Sequence, residues 1–505
     1  MQNIRQKLKY GDLTRNIAES KGFDSAFPKK AIEEAKGLPA EIERENYPGR
    51  RDLTRDLIIT IDGDDAKDFD DAVSLTAENG IYRLGVHIAD VSEFVRARTP
   101  LDTEALERGT SVYFPGEVLP MLPHELSDGL CSLRPGEDKL CLSIAMEVTP
   151  SGEVSGYEIF ESVIRSRERM TYRTVDKILE WEPKAVERYA HIEPMLRDMK
   201  TLMEILSGKR AARGSVDFDL PEAEITLNDK GEPVDLRRAP RNDSNRIIEE
   251  FMLLANETVA RHARKKNLPF IYRVHEPPSA EKTETFYRFC SGFPELRGVR
   301  RGKNLTSAGL SAILKRAADT QYAGLIDKVA LRSMMKAKYK PVNEGHFGLA
   351  AEYYCHFTSP IRRYPDLFIH RVLKTALRGE LSRAQASSFK AFAAQAADKS
   401  SEREAAADGA ERSADDVYKA AYMKRHYGEE FDAVISGVTS FGVFAELANT
   451  AEGLIRIDNL EHGLKFAEDK YLLYSKKASY RMGDKIRVKV VRCDVESGKI
   501  EFVRI

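Results

Sequence analysis

An acidic loop is the part of this chain whose residue types and spacing indicate chemistry. The segment from Thr60 to Val73 reads TIDGDDAKDFDDAV. Four of its aspartates form the candidate site: Asp62, Asp68, Asp70 and Asp71. Carboxylates this close raise one another's pKa, so a cation must neutralise them if all are to ionise. Hard oxygen ligands suit Mg²⁺ or Mn²⁺, which commonly assist phosphate-ester hydrolysis. The loop therefore predicts a metal site for phosphoester chemistry.

Two other interpretations of the loop have to be weighed. A solvated acidic turn is the usual fate of a short Asp-rich segment, and the loop alone leaves that interpretation open. A calcium loop of the EF-hand type does not fit the spacing. Counting from Asp62, position six is Lys67 where glycine is needed, and position twelve is Val73 where glutamate is needed.

The elements around the loop indicate a sheet that holds it. The apolar run at 57–59 predicts a buried strand leading into the acids. Strands are predicted at 71–76 and 82–89, and Asn79-Gly80 between them is typical of a two-residue hairpin turn. The acids should therefore open at a strand end, on a loop that a rigid sheet positions.

Helical patterns follow farther along the chain. Residues 246–266 carry apolar side chains on one helical face. The segment HFTSPIRRYP at 356–365 predicts a loop that enters a helix at 366–377. Residues 382–427 are rich in Ala, Glu, Lys and Arg, and predict long solvated helices without a sustained coiled-coil heptad.

The last segment, 431–505, changes to short alternating strands with glycines at the bends. Five predicted strands indicate a small closed β-barrel of the OB type. Phe441 and Phe444 could stack nucleic-acid bases there, or could belong to the barrel core. Basic residues that could contact phosphates lie on one of the strands: Lys485, Arg487 and Lys489.

Composition describes an ordinary water-soluble chain of 505 residues, with 42% hydrophobic and 31% charged residues. Its 79 basic and 80 acidic residues give a net charge of −1, so nucleic-acid binding must depend on local basic patches. No apolar stretch has the length of a secretory signal or a membrane span. Five scattered cysteines without metal-ligand spacing favour a reduced, cytoplasmic compartment.

Several longer motifs occur together and in a fixed order with the acidic loop. They are HIADVS at 87–92, GTSVYFPG at 109–116, IEEFMLLAN at 248–256 and SPIRRY at 359–364. With these motifs the chain resembles the RNB family of exoribonucleases, in the ribonuclease II/R group, from about residue 50 to its end. The last segment resembles the S1 type of OB fold through 437–444 and 453–456.

The resemblance implies an α+β fold: a mixed-sheet RNB catalytic domain surrounded by helices, followed by a five-stranded OB-fold β-barrel. The expected division is a helical linker at 1–50, the catalytic domain at 51–428 and the S1-type domain at 429–505. The implied activity is processive 3′→5′ hydrolysis of single-stranded RNA, and of structured RNA with an overhang, to nucleoside 5′-monophosphates. The implied cofactor is Mg²⁺, which Mn²⁺ can replace, and we expect a monomer.

The resemblance also assigns roles to individual residues. The four aspartates would be the catalytic carboxylates and metal ligands, and Arg362 would hold the scissile phosphate. Tyr113 and Phe218 would clamp the terminal bases, whereas Glu250 and Glu411 would contact riboses. Each has an ordinary alternative: a helix-start ion pair for Arg362, a core position for Tyr113, and exposed helix surface for the two glutamates.

Rival functions and two departures from the family pattern remain to be considered. A catalytically inactive RNA-binding member and a metal-dependent DNA nuclease share much of this site, but the intact acids and Arg362 favour an active ribonuclease. Family members usually carry two cold-shock domains before the catalytic domain and often a basic tail after the barrel. Only about 50 residues precede the resemblance here, so we expect either a shortened form or a naturally short member.

Overall fold

The computed structural model describes residues 10–505, apart from 217–221, 299–301, 303, 321 and 469–470. The α-helices of the described residues are α1 (Tyr10–Ser20), α2 (Lys29–Lys36), α3 (Val91–Phe94), α4 (Pro100–Arg108), α5 (Tyr172–Leu179), α6 (Pro183–Arg188), α7 (Glu193–Arg213), α8 (Asp243–Lys265), α9 (Ala280–Cys290), α10 (Ser307–Ala317), α11 (Ala323–Ser333), α12 (Tyr364–Leu377) and α13 (Arg383–Met423).

The first group of β-strands precedes the C-terminal barrel. These strands are β1 (Arg51–Leu53), β2 (Ile59–Asp62), β3 (Asp71–Glu78), β4 (Ile81–Ala89), β5 (Val112–Phe114), β6 (Glu117–Leu119), β7 (Asp138–Val148), β8 (Val154–Arg165), β9 (Glu168–Thr171), β10 (Ala223–Leu227), β11 (Pro233–Arg238), β12 (Tyr272–Val274) and β13 (Lys338–Lys340). The C-terminal strands are β14 (Glu430–Thr439), β15 (Gly442–Leu447), β16 (Glu452–Arg456), β17 (Lys465–Ala467), β18 (Leu472–Tyr474), β19 (Ser479–Arg481), β20 (Lys485–Asp494) and β21 (Lys499–Arg504).

A seven-stranded mixed sheet carries the acidic loop. Its strand order is β1-β8-β7-β4-β3-β2-β9, with β1 parallel to β8, β2 parallel to β9 and the other pairs antiparallel. The predicted hairpin joins β3 to β4, with Glu78 paired to Ile81. Asn79 and Gly80 both have positive φ, at 52° and 77°, as a tight turn between twisted strands requires.

Helices α7 and α8 pack against this sheet and bury its apolar face. Helix α8 begins slightly earlier than predicted, because Asn242 and Asn245 form a reciprocal capping box at its N-terminus. Phe251 on α8 and Met199 on α7 are fully buried in the same core as the sheet strands. This packing fixes one long helix against the strands that present the acids.

The C-terminal helical region differs from the prediction of several solvated helices. It is a single 41-residue helix, α13, which runs from Arg383 to Met423. A stripe of small residues along it is buried, including Ala396, Ala407 and Ala414. The small side chains let α13 pack closely against elements such as α12 and β13. Composition alone therefore overstated how solvated this region is.

The last segment forms the predicted closed five-stranded barrel, in the order β14-β15-β16-β21-β20. Gly453 is required inside it, because a Cβ at that position would lie 2.6 Å from the Phe502 ring. The sequence did not predict the additional three-stranded sheet of β17, β18 and β19, which is inserted between β16 and β20. The α+β architecture with a C-terminal OB-type barrel is confirmed.

Residues 10–50 pack against the rest of the described structure. Helix α1 packs along α13, where the Tyr10 and Tyr418 rings stack with their centroids 5.6 Å apart. Leu13 on α1 contacts a small cluster that includes Val495 of the barrel. Helix α1 therefore contacts both α13 and the barrel. In the part of the chain described, no helix combines the length and apolarity that crossing a membrane demands.

Candidate active site

The acidic loop is fixed by backbone hydrogen bonds on both sides. Asp62 is the last residue of β2, and Asp71 is the first residue of β3. Between them, the Ala89 amide donates to the Asp70 carbonyl (2.9 Å), and the Phe69 amide donates to the Ser132 hydroxyl oxygen (3.0 Å). The carboxylates are therefore held by the sheet rather than by their own turn.

Three of the four aspartates are in environments that oppose ionisation. Burial, followed by the negative charge of Asp71, raises the pKa of Asp62 to about 8. Burial also raises the pKa of Asp71 to about 6, although Arg362 opposes the shift. For Asp70, burial raises the pKa well above its usual value, against the opposing effect of Arg362. These carboxyls need an added positive charge before all of them can ionise at neutral pH.

The donor atoms of this site fit a divalent cation. Oδ2 of Asp62 and Oδ2 of Asp70 are buried and have no hydrogen-bond partner among the described residues. An unpaired buried carboxylate oxygen is costly and unusual, so it calls for a specific partner. Carboxylate oxygens are the ligands that Mg²⁺ and Mn²⁺ prefer. The residues present therefore fit the metal expected from the sequence.

A second acidic group lies elsewhere in the sheet and has a different environment. Among the described residues, only one group of three Asp, Glu, His or Cys side chains has all its ligand atoms within 4.8 Å of one another. It consists of Asp90, Glu93 and Glu161. Arg50 Nη2 and Lys374 Nζ lie 2.5 Å and 2.7 Å from Asp90 Oδ2. Although burial acts to raise it, these cations hold the pKa of Asp90 well below its usual value. The group is an internal ion network, whereas the four candidate aspartates are spread around a cavity.

The two arginines of the SPIRRY motif face in different directions. The Arg362 side chain is 42% exposed, and its Nε lies 3.8 Å from Asp70 Oδ2. Its Nη2 donates to the Ser359 hydroxyl oxygen at 3.1 Å. Arg363 is bound through two nitrogens by Asp366, at 3.0 Å and 2.8 Å, at the start of α12. The helix-start ion pair thus belongs to Arg363, and Arg362 is the arginine that faces the acids.

Tyr113 lies on β5 at the edge of the same cavity. Its hydroxyl donates to Asp68 Oδ2 at 3.0 Å, and its side chain is partly exposed. Its backbone amide donates to Glu411 Oε1 at 2.8 Å. Tyr113 is therefore not a core tyrosine, and Glu411 is a contact of the strand that carries it rather than a free helix-surface residue.

The structure places Glu250 away from the acids. Its Oε1 accepts hydrogen bonds from Nε and Nη2 of Arg210, at 3.0 Å and 2.8 Å, in a buried position. The cavity is lined instead by Glu249, Met252 and Asn256, which follow one face of α8 at helical spacing. We expected Glu250 to contact a ribose, but its neighbour Glu249 is the glutamate that faces the cavity.

The cavity has a volume of about 440 Å³ and includes residues that sequence reasoning missed. Tyr172, the first residue of α5, and Tyr354 both line it. Burial and the nearby carboxylates of Asp71 and Asp62 raise the pKa of Tyr172, so its hydroxyl remains protonated beside the acids. No motif marks either tyrosine, because each reaches the site through long-range packing.

Two of the remaining candidates, Phe441 and Phe444, do not line the cavity. Phe218 is outside the described residues. Phe441 is 53% exposed on the turn between β14 and β15, and its ring meets the half-buried Phe444 edge to face at 6.2 Å. The core alternative therefore fails for Phe441. The two rings belong to the barrel surface and do not line the cavity.

Comparison with known families identifies the chain. A family model described as the RNB domain matches residues 50–379, and one described as the S1 RNA binding domain matches residues 425–504. The chain belongs to the RNB family. The resemblance drawn from the motifs is thereby confirmed.

Individual RNB relatives agree with this assignment. The chain is 43% identical over 491 residues to ribonuclease R 1 of Lactococcus lactis and 44% identical over 492 residues to ribonuclease R of Aquifex aeolicus. Both comparisons cover 96% of this chain, which spans 60% and 69% of the length of those two relatives. A solved structure of Mycoplasma genitalium RNase R, in complex with ribose methylated single-stranded RNA, matches with a TM-score of 0.90 at 26% identity. That match covers 98% of this chain and 78% of the other.

Proposed function

We propose that this RNB chain is a divalent-metal-dependent 3′→5′ exoribonuclease that hydrolyses single-stranded RNA to nucleoside 5′-monophosphates. The observation that carries the proposal is a pair of buried carboxylate oxygens, on Asp62 and Asp70, that have no hydrogen-bond partner among the described residues. They share one cavity with the partly exposed side chain of Arg362, whose Nε lies 3.8 Å from the Asp70 oxygen. Ribonuclease R relatives at about 40% identity support the same reaction class. The metal we propose is Mg²⁺, with Mn²⁺ as a substitute.

The side chains of the site would have different roles in phosphodiester hydrolysis. Bound divalent ions would activate the attacking water and stabilise the leaving 3′ oxygen. The carboxylates of Asp62, Asp68, Asp70 and Asp71 would hold those ions in place. Arg362 would donate charge-assisted hydrogen bonds to the phosphoryl oxygens as negative charge develops on them. Since a decayed site would be expected to lose one of these groups, their joint presence argues against the inactive RNA-binding alternative.

An exonuclease must hold any sequence, and the aromatic residues suit that requirement. The Tyr113 ring lies at the cavity edge, where it would stack on a terminal base for roughly 1–3 kcal/mol. Its hydrogen bond to Asp68 would exchange for substrate contacts when RNA enters. Phe441 and Phe444 on the barrel, with exposed Lys485 nearby on β20, would hold the strand before it reaches the cavity.

Recognition of RNA over DNA requires a contact to the 2′-hydroxyl. Glu249 and Tyr172 both line the cavity. The Glu249 carboxylate can accept a hydrogen bond from a ribose hydroxyl, and the Tyr172 hydroxyl can donate or accept one. We therefore transfer the ribose-contacting role from Glu250 to Glu249. The solved structure of Mycoplasma genitalium RNase R in complex with ribose methylated single-stranded RNA supports this substrate class.

We further propose that the chain contains two domains with different functions. Residues 51–428 would form the catalytic domain, and residues 429–505 would form an S1-type RNA-binding domain. The protein would act as a monomer in the cytoplasm. The five cysteines are scattered and lack metal-ligand spacing, which fits a reducing compartment.

Incubation of 5′-labelled single-stranded RNA with the protein and Mg²⁺ tests the proposal. We expect the label to pass directly to a short end product, with nucleoside 5′-monophosphates released and EDTA abolishing the reaction. A DNA strand of the same sequence should be cut poorly. Internal cleavage products, or full activity after complete metal removal, would contradict the proposal, and binding without any cleavage would favour the inactive alternative.

A further inference from the structure

The strand that carries Tyr113 belongs to a small hairpin, formed by β5 and β6. Its two three-residue strands are too short to be stable in water on their own. Tyr113 points to the cavity, whereas the alternate side chains point away from it into a separate apolar cluster. The hairpin residues of that cluster are Val112, Phe114 and Leu119, and their partners include Ala18 and Phe23 of the N-terminal segment and Ala410 of α13. The position of Tyr113 therefore depends on what packs behind the hairpin.

Arg403 of α13 fastens the N-terminal segment at this cluster. Its guanidinium lies 3.8 Å from the centre of the Phe23 ring. Its Nη1 and Nη2 donate to the carbonyls of Lys21 and Gly22, at 3.2 Å and 2.9 Å, and its Nε donates to the Arg108 carbonyl at 3.4 Å. Among the described residues, all of its hydrogen bonds go to backbone carbonyls, so this buried arginine holds chain segments together rather than neutralising an acid.

Arg108, at the end of α4, makes the matching connection on the other side of the hairpin. Its guanidinium lies 3.8 Å from the centre of the Phe27 ring, and its Nη2 donates to the Ala26 carbonyl at 2.7 Å. Its Nη1 donates to the carbonyl of Pro120, the residue that follows β6, at 3.2 Å. Together the two arginines attach residues 21–27 to both ends of the segment that forms the hairpin.

The same segment is bonded to the arginine that faces the acids. The Ser111 amide and the Thr110 hydroxyl both donate to the Arg362 carbonyl, at 3.0 Å and 3.1 Å. Gly109 lies directly against Arg403, since a Cβ at Gly109 would be 2.7 Å from the Arg403 Cβ. One continuous stretch thus connects the N-terminal segment, Tyr113 and the backbone of Arg362.

We propose that residues 18–27, fastened by Arg108 and Arg403, act as a positioning element that sets where Tyr113 stands relative to the acids. This rests on the proposed function, and it adds that Phe23 and Arg403 determine the shortest RNA that the site can still hold. Neither residue touches the cavity, so both act through the hairpin. Loosening the element lets Tyr113 move while the sheet-held carboxylates stay in place.

Phe23→Ala and Arg403→Lys test the proposal by different routes. The first removes the apolar contact behind the hairpin. The second keeps the charge, but an ammonium group cannot bridge three carbonyls from the position of a planar guanidinium. Leu13→Ala is the matched control, because Leu13 lies on α1 and packs against the barrel side of α13 rather than against the hairpin. Phe23→Leu should restore most of the wild-type behaviour.

The first readout is the end product of 5′-labelled RNA, together with KM for a short oligonucleotide and kcat on a long one. We expect both variants to stop at a longer product and to raise KM for the short substrate roughly 10-fold, within the range of one lost base stack. Turnover of long RNA should stay within about 2-fold of wild type, and Leu13→Ala should leave the end product unchanged. An unchanged end product in both variants, or an equal shift in the control, overturns the inference.

Hydrogen exchange supplies a second readout that does not need activity. In Phe23→Ala and Arg403→Lys, amides of residues 109–120 should exchange faster, whereas those of β2 and β3 should keep their wild-type protection. Unchanged exchange in the hairpin overturns the positioning role even if the protein degrades RNA. If exchange becomes faster only in the hairpin but the protein does not degrade RNA, the proposed function is contradicted. The positioning role of residues 18–27 is then still supported.

Discussion

Replacing Asp62 by asparagine should stabilise the metal-free protein at alkaline pH. Burial and neighbouring negative charge raise the pKa of Asp62 from 3.8 to about 8, so between these values the folded chain holds a proton that the unfolded chain has lost. Stability then falls as the pH rises through this window, because the folded state binds more protons than the unfolded state. Each pKa unit is equivalent to about 1.36 kcal/mol, so the penalty removed by Asp62→Asn is on the order of 2–5 kcal/mol at pH 8. The penalty that the substitution removes is small near pH 4.

Thermal unfolding in EDTA at several pH values between 4 and 8 measures this effect. A gain of that size should raise Tm by about 4–10 °C at pH 8, at roughly 2 °C per kcal/mol for a large domain. Added Mg²⁺ should stabilise the wild type by mass action and the variant much less, since the variant lacks a ligand. Asp65→Asn is the control, because Asp65 is exposed on the same loop. The reasoning is refuted if Asp62→Asn lowers Tm at pH 8 without metal, or if its gain is the same at pH 4.

Three further predictions concern turnover, base stacking and the free energy of unfolding. Asp70→Asn should keep RNA affinity but lose turnover by roughly 10²–10⁴-fold in single-turnover assays, since it removes the charge that positions metal and water; near-normal turnover would exclude that role. Tyr113→Phe should keep the wild-type end product of labelled RNA, whereas Tyr113→Ala should lengthen it; identical products would contradict base stacking by the ring. Glu250→Ala should lower the free energy of unfolding in urea by about 1.5–3 kcal/mol, because it removes a carboxylate that accepts two hydrogen bonds from buried Arg210; an altered RNA-to-DNA rate ratio at unchanged stability would instead support a ribose contact by Glu250.

The sequence by itself determined the elements that depend on neighbouring residues. The hairpin at Asn79-Gly80 was predictable because that turn requires residues that tolerate positive φ. The barrel strands were predictable because alternating side chains and bend glycines are local patterns. The acidic loop was predictable as a candidate metal site because like charges at short spacing oppose one another's ionisation. The family motifs then placed these elements in one known fold.

Only the tertiary structure decided which of two adjacent residues faces the cavity. Arg362 and Arg363 are equivalent as sequence, but Arg363 is bound by Asp366 and Arg362 is left to face the acids. Glu249 and Glu250 differ by one step around α8, and the distant Arg210 selects which of them is buried. The Arg363 choice depends on Asp366 in the first turn of α12, whose side-chain direction the sequence does not show. The Glu250 choice depends on a partner from another element, which local periodicity does not contain.

The N-terminal segment shows the same limit most clearly. As sequence, residues 1–50 predict short helices and a linker, because their partners lie far along the chain. In the folded protein, Phe23 packs behind the strand of Tyr113 and is covered by Arg403, nearly four hundred residues later. Local patterns fix an element's type through its own backbone and side chains. Its position, and therefore the geometry of the site, is fixed by contacts that form only when distant segments pack together.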